Sequence, residues 1–182
     1  MSPFDPELLD ALEASTVDRI VGTAWRQVFA PTSVTRANLR GGRWNPLGAE
    51  TLYCSLTPET AAAEIDALLA AQPVPIRRQR LTYVVDVELS RVADLRADPW
   101  GSTFCYEYDV LDTPSCQLIG AAAAWLGLGG LVVPSVRTAG DNLVVFVANQ
   151  GPDDGLEPGQ AFDYPPGPPP DRPWTDITPH AS

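Results

Sequence analysis

Apolar positions along the chain recur in short blocks that switch between a helical period and the two-residue period of strands. The first block is helical. Asp5-Pro6 followed by Glu7, Leu8, Leu9 and Leu12 predicts a short helix, with Asp5 placed to cap and Pro6 suited to the first turn. Residues 20–29 (IVGTAWRQVF) then read as a strand with Trp25 and Arg26 near its middle. Residues 35–48 hold Gly41, Gly42, Pro46 and Gly48 and are predicted as a loop, which leads into a short apolar strand over 51–54.

The next helix has a legible start. Thr57 can cap, Pro58 takes the first helical position and Glu59 favours the first turn. Ala61, Ala62, Ala63, Ala67, Leu68 and Leu69 continue it with strong helix formers. Residues 81–89 (LTYVVDVEL) alternate as a strand. A helix over 115–126 is expected to end at Gly127, a buried strand over 131–133 to stop at Pro134, and a last strand to span 143–148. Beyond Asn149 come a turn-rich break at 151–155 and the run YPPGPPPDRP, whose prolines fit neither helix nor sheet.

This order predicts an α+β fold: one compact domain of mixed sheet and helices over residues 20–150. A helical extension (1–19) precedes it, and a flexible proline-rich tail (151–182) follows, with Trp174 available to dock the tail back. No GxGxxG motif supports a doubly wound dinucleotide fold.

Composition narrows the function. The chain has 182 residues, 45% of them hydrophobic, enough for one sizeable core. Twelve basic residues face twenty-three acidic ones for a net charge of -11, a surface that repels duplex phosphates and argues against direct nucleic-acid binding. A local nest of arginines can still hold one small anion. Every basic residue is Arg, whose planar fork suits phosphate or carboxylate, although a GC-rich coding sequence yields the same bias.

Cys54, Cys105 and Cys116 show no ligand spacing, and the single His, His180, lies near the end of the chain. Neither a disulfide framework, a metal site nor a His-based triad is expected. The acidic N-terminus does not resemble a secretory signal, and the apolar stretch over 118–133 carries four glycines and is too short for a membrane span. A soluble, cytoplasmic protein is the expectation.

Three positions invite chemistry on local grounds. Arg43 lies in GGRWNPLG, where glycines permit close backbone approach, Trp44 offers a stacking wall and Asn45 an amide. The arrangement suits a nucleotide or pyrophosphate, and equally an ordinary turn with a packed Trp. Arg26 sits in an apolar strand, so its charge needs a bound phosphate, an internal carboxylate or a route to water. Glu64 shares a helix face with Leu68, which fits a pocket wall as well as a solvated surface. Ser135, in LVVPSVR, is outside any GxSxG elbow and lacks a His partner.

Taken in order, Trp25-Arg26, GGRWNPLG over 41–48, LYCS over 52–55, AAAE over 61–64, GLVVPSVR and the later NLVVF closely resemble the RES domain, a family named for its characteristic Arg, Glu and Ser. The resemblance spans roughly residues 20–148. It implies an ADP-ribosyltransferase-like fold and degradation of NAD, by phosphorolysis in some members, several of which are toxins restrained by an Xre-type antitoxin.

By that resemblance Arg26 and Arg43 are the basic groups of the NAD pocket, Tyr53 and Glu64 occupy catalytic positions, Ser135 is the family serine and Arg137 a weaker candidate. The expected catalytic set is Glu64, Tyr53 and Arg43, and the expected substrate-binding set is Arg26, Arg43, Trp44, Asn45, Ser135 and Arg137, with no metal and no recycled cofactor. The expected activity is cleavage of the nicotinamide–ribose bond of NAD by an NAD phosphorylase or glycohydrolase, with inorganic phosphate favoured slightly over water as co-substrate. ADP-ribosyl transfer to a protein or small molecule, and a non-catalytic nucleotide-binding or interaction module, are the alternatives. An Xre-type antitoxin and a second copy of the chain are the expected protein partners.

Overall fold

The strands alternate inward and outward and close upon themselves. In a computed structural model, which describes residues 2–73, 78–96 and 113–163, six strands are formed: β1 (Thr16–Phe29), β2 (Thr51–Ser55), β3 (Arg80–Asp94), β4 (Gly130–Pro134), β5 (Asp141–Phe146) and β6 (Gly155–Asp163). The sheet runs β1-β2-β5-β4-β3-β6, and β1 also pairs with β3. That extra pairing closes β1, β2, β5, β4 and β3 into a barrel, so the ring has no free edge. Only β3 and β4 run parallel; the other pairs are antiparallel.

Two cores lie on the two faces of this sheet. Ile20 and Ala24 of β1, Leu52 and Cys54 of β2, Val85, Val87 and Leu89 of β3, Val132 of β4, and Leu143 and Val145 of β5 form the interior. Their two-residue spacing places them on one face. Leu131, Val133, Val144 and Phe146 face the other way and are covered by α1 (Pro6–Ala14) and α3 (Thr113–Trp125), through Leu8, Leu12, Cys116, Ile119, Ala122 and Ala123. Ile119 and Leu143 are 1% and 0% exposed, so truncating either to Ala costs about 2–5 kcal/mol.

The third helix, α2 (Pro58–Ala70), packs on β1 and β2. Thr57 caps it by accepting from the Thr60 amide, and Pro58 opens its first turn, as the sequence pattern predicts. None of the helices among the described residues is long and apolar enough to cross a membrane.

The structure corrects the sequence expectation in three places. Residues 155–163, expected to be irregular, form β6 on the outer edge of β3, from Leu81↔Asp163 to Glu88↔Gly155. Pro158 and Gly159 hide the alternation, yet an edge strand tolerates a missing N–H on its open side. Asp154 fastens the start of β6 by accepting from the amide and hydroxyl of Ser90, both at 2.8 Å. The first strand begins at Thr16 instead of residue 20, directly after α1. The last barrel strand ends at Phe146, and Val147–Asn149 turn as a 3-10 helix. The run YPPGPPPDRP, Trp174, Cys105 and His180 lie outside the described residues.

Candidate functional site

A cavity of about 590 Å³ opens beside α2, walled by Trp25 and Arg26 of β1, Arg43 and Trp44 of the glycine-rich loop, Tyr53 of β2 and Glu64 of α2. Ser55, Asn142 and Arg137 also line it.

Glu64 is held from two sides. The cap hydroxyl of Thr57 donates to Thr60 Oγ1 at 2.9 Å, and Thr60 Oγ1 lies 2.9 Å from Thr138 Oγ1, which ties the 135–140 turn to the head of α2. Within that turn the Ser135 amide donates to the Gly140 carbonyl at 2.8 Å and the Arg137 amide to Ser135 Oγ at 3.0 Å. Ser135 Oγ then donates to Glu64 Oε1 at 2.7 Å, and Asn142 Nδ2 donates to the same oxygen at 2.8 Å. Asn142 Oδ1 in turn accepts from Ser55 Oγ at 2.7 Å. Hydrogen bonds to a carboxylate are shorter and stronger than neutral ones, so this pair fixes the side chain firmly.

The loop that carries Arg43 is built around one phenol. Tyr53 Oη donates to Asn45 Oδ1 at 2.6 Å and accepts from the Trp44 amide at 3.0 Å. Burial pushes the phenol up to about 12, although the bonds at Trp44 and Asn45 pull the other way. Gly42 is needed for this fit: a Cβ there would stand 2.6 Å from Tyr53 Oη and 2.9 Å from Asn45 Oδ1. From the opposite side Gln117 Nε2 donates to the Gly42 carbonyl at 2.8 Å, and Gly120 lets α3 come against the Trp44 carbonyl.

Asn45, expected to bind substrate, is placed inside this loop. It is fully buried and its amide donates to the Pro46 and Ala49 carbonyls, so it shapes the loop and does not line the cavity. Ser135 is likewise absent from the cavity wall and acts on it through Glu64. Tyr53 presents its ring to the cavity while its hydroxyl serves the loop.

Arg26 occupies a gap in the barrel. β1 and β2 pair at Trp25 and Ser55 and no further. Next along β1, Arg26 Nη1 donates to the Tyr53 carbonyl of β2 at 2.7 Å and Nη2 to the Arg36 carbonyl of the following loop at 2.9 Å, satisfying two backbone acceptors. Its Nε is buried without a hydrogen-bond partner. Burial lowers its pKa, offset in part by the adjoining Cys54 thiol, whose own pKa burial raises. Elsewhere Arg80 pairs with Asp66, Arg91 with Glu13 and Arg96 with Asp94. No carboxylate among the described residues pairs with Arg26 in this way. A buried guanidinium on a cavity wall, with no counter-ion among the described residues, favours an anionic occupant.

The structure thus brings Arg26, Arg43, Trp44, Tyr53, Glu64 and Arg137 to one cavity. Sequence reasoning missed Asn142 and Ser55. The available signal was Asn142 at the head of the NLVVF run, but its pairing with Ser55 exists only across the β2–β5 register. Among the described residues no group of three or more His, Cys, Asp or Glu side chains is placed to hold a metal ion.

Fold and site define a small α+β barrel protein whose cleft sets a pinned carboxylate among guanidinium groups. The RES domain family matches residues 16–167, and the chain belongs to that family. Among solved structures it is similar to a chain of the crystal structure of the M. tuberculosis MbcT–MbcA toxin–antitoxin complex, with a TM-score of 0.77 and 24% identity over 89% of this chain and 94% of that one. At that identity the likeness establishes the shared fold. No curated protein sequence matches the chain.

Proposed function

We propose that this protein degrades NAD by breaking the bond between nicotinamide and ribose, with inorganic phosphate favoured over water as the nucleophile. We further propose that it is the toxin of a pair restrained by an Xre-type antitoxin and that it works in the cytoplasm. Family membership supports the activity that the sequence resemblance implies. The shared fold with a chain of a toxin–antitoxin complex supports the partner. The relation to ADP-ribosyltransferases belongs to the same reading, supported by a mixed sheet that sets one helix-borne carboxylate at a cleft.

The observation that carries the proposal is the anchoring of Glu64. Both of its donors converge on Oε1, and Oε2 has no hydrogen-bond partner among the described residues, on a side chain that lines the cavity. When the C1′–N bond breaks, its electron pair goes to the pyridinium ring and nicotinamide departs neutral, without needing a proton. Positive charge develops at C1′, where a fixed carboxylate stabilises it and can orient the incoming nucleophile through a ribose hydroxyl. Phosphate oxygen bonding to C1′ gives ADP-ribose 1-phosphate; water gives ADP-ribose and a proton. Arg43 at the wall and Arg137 at the rim offer forks to the pyrophosphate. Arg26, its terminal nitrogens engaged with backbone carbonyls, contributes its charge and its buried Nε–H.

The test is to incubate purified, antitoxin-free protein with NAD, with and without phosphate, and to identify products by chromatography and mass. Nicotinamide with ADP-ribose 1-phosphate is the expected result. ADP-ribose alone replaces phosphorolysis with hydrolysis, and label fixed on a protein or small acceptor replaces both with transfer. NAD binding without any nicotinamide release overturns the enzymatic reading.

A further inference from the structure

Building on the proposed NAD chemistry, we infer that Ser55 and Asn142 form a positioning relay that selects which oxygen of Glu64 meets the substrate. The two residues are cross-strand partners, Ser55 of β2 opposite Asn142 of β5. Both line the cavity with Glu64. A serine hydroxyl has one proton, and Ser55 places it on Asn142 Oδ1 at 2.7 Å. The amide orientation follows: with Oδ1 occupied, Nδ2 points to Glu64 Oε1 at 2.8 Å. The flipped amide would set two acceptors against each other at that distance, at the cost of an unmade bond to a charged group. Ser135 adds its own proton to the same oxygen from the turn after β4.

Oε1 therefore takes two donors, one from the turn after β4 and one from β5, and the plane of the carboxylate is set before any ligand arrives. Oε2 is the oxygen presented to the reacting sugar. Asn142 acts through Glu64, and Ser55 acts through Asn142. Neither needs to touch the reacting atoms.

Asn142→Asp is the decisive variant because it keeps size and shape while turning a donor into a second carboxylate. Two carboxylates in contact share a proton and titrate as a pair. Among the described residues, the other titratable groups lining the cavity are Arg26, Arg43, Arg137, Tyr53 and Cys54. Burial raises both Tyr53 and Cys54, which keeps them silent in the acid range. Nearby Asp141 is ion-paired with Arg96 at 3.2 Å. An upward shift of the acid limb of kcat in Asn142→Asp thus reports the new pair.

We expect Asn142→Asp to lower kcat at neutral pH by about 10²-fold with KM much less affected, and Ser55→Ala to lower kcat several-fold in the same pattern. In a Glu64→Gln background, Asn142→Asp should cost little more, because its effect runs through the missing carboxylate. Thermal melts of each variant check that the fold persists. Independently of turnover, carbon NMR of the Glu64 carboxyl should show it titrating at higher pH in Asn142→Asp than in the wild type. An unmoved titration, or equal rate losses with and without the Glu64 carboxylate, overturns the relay. Absence of nicotinamide release from the wild type overturns the proposed function instead, and the NMR titration then still decides the relay.

Discussion

Ser135 Oγ meets Glu64 Oε1 at 2.7 Å across 71 positions of sequence, from a turn that is itself tied to the head of the helix bearing Glu64. The hydroxyl proton is directed to the carboxylate, and no His among the described residues is available to activate the oxygen. This geometry favours a positioning role for Ser135 over a nucleophilic one.

A magnitude separates those roles. Loss of one hydrogen bond to a charged group costs about 1.5–3 kcal/mol, so Ser135→Ala should lower the rate of nicotinamide release by roughly 10- to 100-fold, with Asn142 still holding Oε1. A nucleophile removed outright costs far more, on the order of 10⁶-fold in the serine-protease case. Steady-state rates distinguish the two, and a loss beyond about 10⁴-fold would contradict the positioning role.

Arg26 and Arg137 should part company under mutation. Arg26→Lys replaces a fork that serves the Tyr53 and Arg36 carbonyls with a point charge. A buried acceptor left unmet costs about 1–3 kcal/mol, so the melting temperature should fall along with the rate. Arg137 is exposed at the cavity rim. Arg137→Ala should leave the melting temperature unchanged and raise only KM for NAD. Equal melting temperatures for Arg26→Lys and the wild type would show that the bridging role is wrong.

The shape of the site was legible in part. The Thr57-Pro58 start of α2, the alternation over 81–89 and the apolar runs of β1, β2 and β5 are local signals, and the helix and strands form there with shifted ends. Barrel closure was not legible, because the pairing of β1 with β3 joins segments far apart in sequence. β6 was obscured by Pro158 and Gly159, whose cost on an open edge is small. An amide in a glycine-rich loop reads the same whether it faces a ligand or its own backbone; Asn45 does the second. An Asn at the head of a strand reads as a turn residue, so Asn142 drew no attention, although the register sets it opposite Ser55 and beside Glu64.

Tyr53 makes alkaline stability a reporter of the loop. The folded phenol keeps its proton to about 12 against 10.0 for the free group. Between those values the folded state binds more protons than the unfolded chain, so stability is complete below about pH 10 and declines as pH rises toward 12. Tyr53→Phe should remove this residue's share of that slope. It should also lower stability at neutral pH by about 1–3 kcal/mol, since the Trp44 amide and Asn45 Oδ1 lose their partner. Urea melts across about pH 8–11 are the check, and parallel curves for the two proteins would contradict this role of Tyr53.

In the proposed reaction the negative charge of Glu64, held by one oxygen and offered by the other, drives departure of nicotinamide. Single-turnover nicotinamide release by Glu64→Gln measures it most directly. The Gln carbonyl can take over both bonds now made to Oε1, so fold and affinity for ADP-ribose should persist. Release should fall by about 10²-fold or more, the scale seen when one transition-state electrostatic contact is removed. Release at the wild-type rate, from a folded variant that still binds ADP-ribose, would contradict a catalytic role for the Glu64 charge.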